Sequence, residues 1–396
     1  MKKLAILALC LTAFAASDVM AQGKFSGLVF GDYFYNIARD TAISKLKPAI
    51  VTPGSKDFQG FQIRRIYLTY DYDFSEKFTS RFRVEGNTIA SQGGSSSTAS
   101  RLSGSSLSQL FIKDAWLKWK NIFHGSDLIF GIQPTAAYDI SETVWGYRAL
   151  EKTIMDLRSI IPSRDMGVSL RGKFDDTGMF AYWFMFAGNS GQDDATNKYK
   201  RLSLNLQVKP VDKVIVTLFG DLRTLPNVNN PTSTTAPPAT VANNVFTYAL
   251  FAAYNDPDAL TVGVEGFLQT QQNAQATSTT DKTLKSASQL GFTVFAVYAF
   301  DPMWSAILRY DLYNPDTDSN FPFAGTVAAP GWAASLNRNY IIAGLAFKPE
   351  KNVQIIPNVQ YESYQTPRNV VASSTASVAS IDASVTARVT FYWVFM

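Results

Sequence analysis

The stretch Arg201–Lys209, RLSLNLQVK, decides the fold class of this chain. Polar side chains alternate with apolar ones along it, and the apolar positions are Leu202, Leu204, Leu206 and Val208. Successive side chains of a β-strand point to opposite faces, whereas a helix repeats every three or four residues. The period of two therefore predicts a strand with one apolar face and one polar face.

The same alternation recurs along the chain in stretches of about ten residues, at 78–87, 165–174, 304–313 and 384–396. A strand that crosses a bilayer at a tilt needs about 9–11 residues, so these stretches are long enough to span a membrane. Aromatic residues cluster near the strand ends, for example in 67–74, where the interfacial girdles of a membrane barrel lie. A soluble β-sandwich also alternates, with its apolar face turned inward, and a secreted soluble all-β protein is the alternative.

The connections between these stretches alternate between short and long. Seven short ones carry turn residues and recur about every 45 residues, at 74–77, 123–126, 175–178, 210–212, 255–258, 301–302 and 349–352. Seven turns join fourteen strands, and a first and a last strand bring the total to about sixteen. The long connections have the composition of polar loops, as at 91–108, 226–244 and 269–283. If these were linkers, the domains between them would be too small to hold a core.

This organisation predicts one domain over residues 22–396. We expect an all-β fold, a transmembrane antiparallel β-barrel of about 16 strands, with short periplasmic turns and long extracellular loops. No apolar run after residue 22 reaches the about 18 residues that a transmembrane helix requires. Strands that turn one apolar face to lipid and one polar face to a lumen need no such run.

The first residues have the pattern of an export signal. Lys2 and Lys3 precede an apolar run at 4–16, and small residues occupy the first and third places of 19–21. This three-part pattern predicts a signal peptide over residues 1–21, and the apolar run is too short for a membrane anchor. We therefore expect the mature protein in the outer membrane of a Gram-negative-type bacterium.

Composition excludes several classes of function. The chain has 396 residues, 17% charged residues, a net charge of +4, one His and one Cys. So small a net charge gives no reason to expect nucleic acid as a partner. With one His and one Cys we expect no metal site and no cofactor. His124 falls in a predicted periplasmic turn, far from the outer leaflet, where the Ser–His lipase site of a membrane barrel would lie. The sequence thus indicates a protein that is not an enzyme.

The long connection at 138–163 differs from the others because it has apolar residues at three- and four-residue spacing. That spacing predicts a short helical piece that packs on something. A barrel of 16 strands is wide enough to leave an aqueous channel, so we expect this loop to fold inward as a constriction. Its candidate residues are Trp145, Tyr147, Arg148, Lys152, Arg158 and Arg164. The alternative is an external loop that packs on its neighbours or on a trimer partner.

Alternation also predicts which charged side chains face the lumen. The basic candidates for pore-lining and selectivity are Arg65, Arg81, Arg83, Lys118, Arg171, Lys173, Arg201, Arg309 and Arg388, with Arg223 on the same pattern. The acidic ones are Asp71, Glu85, Asp114, Asp221, Glu265, Asp311 and Glu362. A small basic excess predicts a mild anion preference, and the alternative is that arginines and carboxylates only pair along the wall. Parity can slip at a β-bulge, as the sequence around 62–65 suggests.

The last strand, at 384–396, has an apolar and aromatic face that ends on Phe395, one residue before the C-terminus. This resembles the C-terminal strand signal of bacterial outer-membrane proteins. The segments FSGLVFGDYFY at 25–35, FQIRRIYLTYDY at 61–72, WGYR at 145–148 and SRDMGV at 163–168 are similar to the phosphate-selective porin O and P family. The resemblance implies a diffusion channel embedded in outer-membrane lipid, a homotrimer, and passage of small hydrophilic or anionic solutes, with phosphate one candidate.

A second class of function stays open. The long Ser- and Thr-rich loops at the cell surface could bind a surface or a partner while the lumen is closed. This alternative is a non-conducting outer-membrane barrel with a structural or adhesive role. Those loops are poor in the aromatic and Arg residues that carry most binding energy at interfaces, which favours the channel.

Overall fold

The computed structural model describes residues 23–40, 54–88, 107–194, 196–276, 282–317, 337–365 and 381–395. They form a closed barrel of sixteen antiparallel strands, which confirms the predicted fold class. Each barrel strand pairs with its neighbours along the chain, and the first strand closes the barrel by pairing with the last, from Gly27 opposite Phe395 to Ala38 opposite Val385. The predicted signal peptide, residues 1–21, lies outside the described residues.

The first eight barrel strands are β1 (Gly23–Ala38), β2 (Gln59–Asp73), β3 (Phe78–Thr88), β4 (Leu107–Phe123), β5 (Ser126–Pro134), β6 (Arg164–Lys173), β7 (Phe180–Ala187) and β8 (Arg201–Val208). The other eight are β9 (Val214–Arg223), β12 (Val245–Asn255), β13 (Leu260–Ala276), β14 (Leu284–Ala299), β15 (Trp304–Asn314), β16 (Asn337–Glu350), β17 (Val353–Gln365) and β18 (Ser384–Phe395). Outside the barrel, β10 (Val228–Asn229) and β11 (Thr240–Val241) form a small hairpin.

The seven predicted short connections all lie between paired strands at one end of the barrel. The loop predicted at 269–283 was wrong in its first half, because β13 continues to Ala276 and pairs there with β14, Gln275 opposite Lys285. The polar side chains of this part of the strand add hydrogen bonds to the backbone ladder, for example from Gln269 to Thr247 and from Gln271 to Asn243. Most of the loop predicted at 91–108 lies outside the described residues.

The apolar face of the strands is turned outward. Leu202, Leu204 and Leu206 are exposed on the barrel surface, and so are Phe391, Trp393 and Phe395 of the last strand. Their polar neighbours along each strand point inward and are buried, as Ser203 and Thr390 are. An apolar band outside and a polar interior are what a barrel in a bilayer requires. Among the described residues, no helix is long and apolar enough to cross a membrane.

Two β-bulges interrupt the alternation on neighbouring parts of the wall. In β2, Phe30 pairs with Arg65 and the next residue pairs with Ile63, so that Arg64 is an extra residue. In β4, the shift between the partners Asp114 and Ile112 makes Lys113 the extra residue. A bulge opposes two residues to one and bends the strand locally. Both members of each pair therefore face the interior, and the slip suspected near residues 62–65 is present.

The connection between β5 and β6, residues 135–163, is named the β5–β6 loop. It contains two short helices, α1 (Asp139–Trp145) and α2 (Ile154–Leu157). Helix α1 ends at Gly146, whose φ of 67° lies in the left-handed region that glycine adopts without strain. The apolar spacing that predicted helix in this loop thus corresponds to two helices rather than one.

Candidate functional site

The apolar side chains of the β5–β6 loop are buried against the inner face of the barrel. Trp145, Leu150 and Ile154 are 1%, 0% and 0% exposed. They belong to two clusters that join residues of this loop to inward-facing residues of the barrel wall. The wall members include Phe251, Phe295, Ile307, Ile342, Ile356, Trp183, Phe219 and Phe267. One side of the interior is therefore filled by a packed apolar core.

Polar contacts hold the same loop to both sides of the barrel. Arg64 of β2 donates to the carbonyls of Ala149 and Leu150, and Arg309 of β15 donates to the carbonyl of Lys152 at 2.5 Å. Satisfying the carbonyls of an irregular segment with wall side chains allows that backbone to be buried. Residues 149–152 are thus held between two arginines of well-separated strands.

A further ion pair anchors the end of α2. Arg158 approaches Glu362 of β17 to 2.9 Å, and its guanidinium lies over the ring of Tyr313 at 5.3 Å from the centroid. On the opposite wall, Lys113 donates to the hydroxyl of Ser163 at 3.1 Å. Together with the Ser141 hydroxyl, which donates to the carboxylate of Glu265 at 3.1 Å, these contacts run from α1 to the start of β6.

Within the loop, Arg148 joins two carboxylates. Its Nη1 lies 2.6 Å from Glu142 and 2.8 Å from Asp156, and Lys152 lies 3.4 Å from Asp156. Burial alone would raise the pKa of the Asp156 carboxyl, but Arg148 and Lys152 outweigh it and hold that pKa below its ordinary value. Asp156 is therefore a carboxylate at neutral pH and pairs with both cations.

The nine predicted pore-lining residues all lie on the inward face, but they differ in surroundings. Arg201, Arg309 and Arg388 are 3%, 1% and 3% exposed, so they do not line open space as the sequence suggested. Arg309 pairs with Asp311 at 2.6 Å beneath the β5–β6 loop, and Arg201 lies between Asp165 and Asp221. The packed loop, which linear parity cannot represent, covers Arg309. The partly exposed members are Arg65, Arg81, Arg83, Lys118, Arg171 and Lys173.

Open space lies on the other side of the interior. A cavity of about 280 Å³ adjoins α1 and the inner faces of β1 to β4, and Tyr67 and Thr69 form part of its wall. Its charged lining residues are Arg83, Lys113, Glu142, Arg148 and Arg164. Four cations and one carboxylate thus face this space. Of the predicted constriction residues, Arg148 and Arg164 line it, whereas Trp145 belongs to the packed core and Arg158 to the far wall.

Sequence reasoning missed Lys113 and Arg64 as inward-facing residues. Strict alternation from Asp114 would point Lys113 into lipid, yet Lys113 is buried and lies 2.9 Å from Glu85. Arg64 is paired with Asp32. Two adjacent charged residues inside an apolar alternation carry the signal of a bulge, because lipid would not accept either charge.

The single histidine lies away from the cavity. His124 lies 2.8 Å from Asp176, and both side chains are exposed at the turn end of the barrel, where such a pair is an ordinary surface contact. In the part of the chain that the structure describes, no group of three or more His, Cys, Asp or Glu residues is placed to hold a metal ion.

Comparison with known proteins gives structural likeness alone. No protein-family model matches the sequence, and no curated protein matches it. Among solved structures, the outer-membrane channel DcaP of Acinetobacter baumannii is similar with a TM-score of 0.60 at 12% identity, covering 96% of this chain and 99% of that one. The anion-selective porin from Comamonas acidovorans has a TM-score of 0.59 at 11% identity, covering 95% and 100%. OmpF of Salmonella typhi, solved with daunomycin, has a TM-score of 0.57 at 14% identity, covering 95% and 98%. The chain has the barrel fold of these outer-membrane porins.

Proposed function

We propose that this protein is an outer-membrane porin, a water-filled channel for passive diffusion of small hydrophilic solutes with a mild preference for anions. The observation that carries the proposal is the cavity inside the barrel, lined by four cations and one carboxylate. The exposed apolar band outside supports a place in outer-membrane lipid. Residues 1–21 are proposed to be removed on export, which N-terminal sequencing of protein from an outer-membrane fraction tests.

The preference for anions is expected to be mild. Two unit charges 4 Å apart in water interact with about 1 kcal/mol, which corresponds to a severalfold difference in permeability. The test is to refold the mature chain in detergent, insert it in a planar bilayer and measure the reversal potential across a KCl gradient. Open steps with a chloride-selective reversal potential are expected. Open steps without ion preference would leave a general porin and remove the anion claim.

Residues 138–163 are proposed as the constriction. Their attachment to β2 on one wall and to β15 and β17 on others supports this assignment. Deleting residues 146–158 is expected to raise single-channel conductance, because the deletion removes the part of the loop held in the interior. Heat-dependent mobility on a detergent gel checks that the shortened barrel has folded, and unchanged conductance from a folded barrel would reject the assignment.

Phosphate and the homotrimer are the finer parts of the proposal, and both come from the resemblance to the phosphate-selective porin O and P family. Phosphate added to one side of the bilayer is expected to reduce chloride current if the two anions share a passage. Chemical cross-linking in detergent, read as a ladder on a gel, tests the trimer. Failure of either part would leave the channel itself untouched.

A non-conducting barrel with a structural or adhesive role is the second candidate. The observation that favours it is the apolar core of the β5–β6 loop, which fills one side of the interior. A correctly folded barrel that gives no open steps in the bilayer would favour this role over the channel.

A further inference from the structure

The charges inside the barrel are arranged differently at two levels of the same wall. Nearer the turn end, Arg81 and Lys118 each pair with a single carboxylate. Arg81 forms two hydrogen bonds with Asp71, at 2.7 and 2.9 Å, and Lys118 lies 3.6 Å from Asp127. Paired charges of this kind cancel at a short distance, so they exert little field on an ion in the lumen.

At the level of the cavity, each of three carboxylates is shared by two cations. Arg65 and Lys113 pair with Glu85, Arg83 and Arg164 pair with Asp114, and Arg148 and Lys152 pair with Asp156. We name these residues, together with Glu142, the bracketed cluster. Its six cations and four carboxylates leave a formal excess of two positive charges.

Three of the four carboxylates are more deeply buried than the arginines that line the open space. The carboxylate side chains of Glu85, Asp114 and Asp156 are 0%, 1% and 8% exposed, because the cations cover them. The side chains of Arg83 and Arg148 are 21% and 17% exposed and line the cavity. Glu142, 30% exposed, also lines the cavity, so an ion there meets four cations and one carboxylate, and the other three carboxylates act from behind the cations.

The two β-bulges contribute to the excess of positive charge in the bracketed cluster. Without the extra residue in β4, Lys113 and Asp114 could not both face inward, and the cavity would lose a cation that lies 2.9 Å from Glu85. The bulge in β2 likewise allows Arg65 to join the cluster while Arg64 holds the β5–β6 loop. The backbone of this part of the wall is thus shaped to crowd charges at one level.

We infer that the ion preference of the channel is set at this one level, with Arg83, Lys113, Arg148 and Arg164 as the specificity-determining residues. The inference rests on the proposed channel function and assigns no part of the preference to the one-to-one pairs or to the arginines buried beneath the β5–β6 loop. Arg81, Lys118 and Arg309 lie outside the bracketed cluster, each pairs with one carboxylate, and they stabilise the wall instead.

Arg81 and Arg83 offer a matched test, because they lie two residues apart on the same face of β3. Arg83→Gln is expected to lower the chloride-to-potassium permeability ratio by about threefold to fivefold, the effect of one unit charge a few ångströms from the ion. Arg81→Gln changes the net charge equally but does so about 7 Å away along the strand and outside the cavity lining, where distance and screening are expected to limit the change in the ratio to less than about 1.5-fold. Asp114→Asn and Asp71→Asn form the complementary pair, and only the first is expected to raise the ratio.

Chemical rescue separates charge from misfolding. The chain has no cysteine beyond Cys10, so Arg83→Cys in the mature protein carries a single thiol. Attaching an ammonium-bearing methanethiosulfonate should restore the ratio, and attaching the sulfonate-bearing reagent should lower it further. Equal effects at residues 81 and 83, or a ratio indifferent to the attached charge, would overturn the inference while leaving the channel in place. Absence of open steps in the unmodified protein would instead overturn the proposed function and the inference with it.

Discussion

The two sides of the barrel interior use the same kind of residue for different ends. On the side of β12 to β17, Arg309 is 1% exposed, forms a pair with Asp311 at 2.6 Å and bonds to the β5–β6 loop. On the side of β1 to β6, Arg83 is 21% exposed, shares Asp114 with a second arginine and faces open space. An inward arginine therefore indicates a lumen only where the interior is not already filled. Counting arginines along the strands cannot distinguish the two cases.

The largest loss of stability is expected from a substitution at Trp145, on the filled side of the barrel. Its ring contacts Phe295 edge to face at 5.0 Å, lies under the guanidinium of Arg309 at 5.2 Å, and its Nε1 donates to the carbonyl of Glu151 at 2.8 Å. Trp145→Ala removes a buried aromatic side chain and should cost about 3–5 kcal/mol of the free energy of unfolding. Chemical denaturation in detergent, followed by the shift of the folded band on a gel, measures the loss.

Trp116 provides the control on the open side. It is only partly buried, and the cations of Arg81 and Lys118 lie 5.6 Å from its ring centroid. Trp116→Ala is expected to cost about 1 kcal/mol, the scale of a cation–aromatic contact near solvent. Equal losses from both substitutions would show that the two sides are packed alike and would remove the basis of the comparison.

A smaller effect is expected when the buried pair on the filled side is broken and then replaced. Arg309→Met leaves Asp311 buried without its partner and should cost about 3 kcal/mol of the free energy of unfolding. Arg309→Met with Asp311→Leu removes both charges and should recover most of that loss, because an apolar pair of similar size suits a dry interior. The same gel-based denaturation compares them. A double variant no more stable than the single one would mean that the pair contributes more than charge compensation.

The sequence was sufficient for the strands because alternation is a local property. The stretch 201–209 and the last strand show which of their faces is apolar without any knowledge of the neighbouring strands. Turn residues mark where the strands end. The same property failed at Lys113 and Arg64, since a bulge reverses parity and depends on the register with the adjacent strand. It also failed at Gln269–Ala276, where a polar strand beyond the apolar band has the composition of a loop.

The interior was only partly predictable for a different reason. The apolar spacing of Trp145, Leu150 and Ile154 indicated that their loop packs on something, and they are indeed buried. Which wall they pack on is decided by residues far away in the chain, such as Phe295 and Ile342. That choice leaves Arg83 beside a cavity and Arg309 beneath the loop, and no pattern within β3 or β15 carries this information.

The smallest effect concerns acidity and the β5–β6 loop itself. The pKa of Asp156 is lowered, because Arg148 and Lys152 outweigh the effect of burial. A carboxylate with a lowered pKa contributes stability that is fully present above about pH 4, the ordinary value, and is lost only as pH falls through the lowered one. Glu142 shares Arg148, so the same cation serves two carboxylates. We expect protonation of Asp156 to add no single-channel current noise from pH 7 to about pH 4 and to add noise only under stronger acid.

Asp156→Asn is expected to raise the single-channel current noise at neutral pH, because the substitution removes the same charge that strong acid would remove. Asp139→Asn is the control, because Asp139 lies on the same loop but is partly exposed. Its contact with Arg171 is 3.9 Å long and therefore weak. A rise in noise near pH 6 that occurs in the unmodified protein but not in Asp156→Asn would contradict the prediction, because that rise would then come from Asp156, whose two cations hold its charge at that pH. Constant noise in Asp156→Asn would mean that the apolar packing of Trp145 and its neighbours holds the loop without this cluster, and the filled side of the barrel would then account for the loop's position alone.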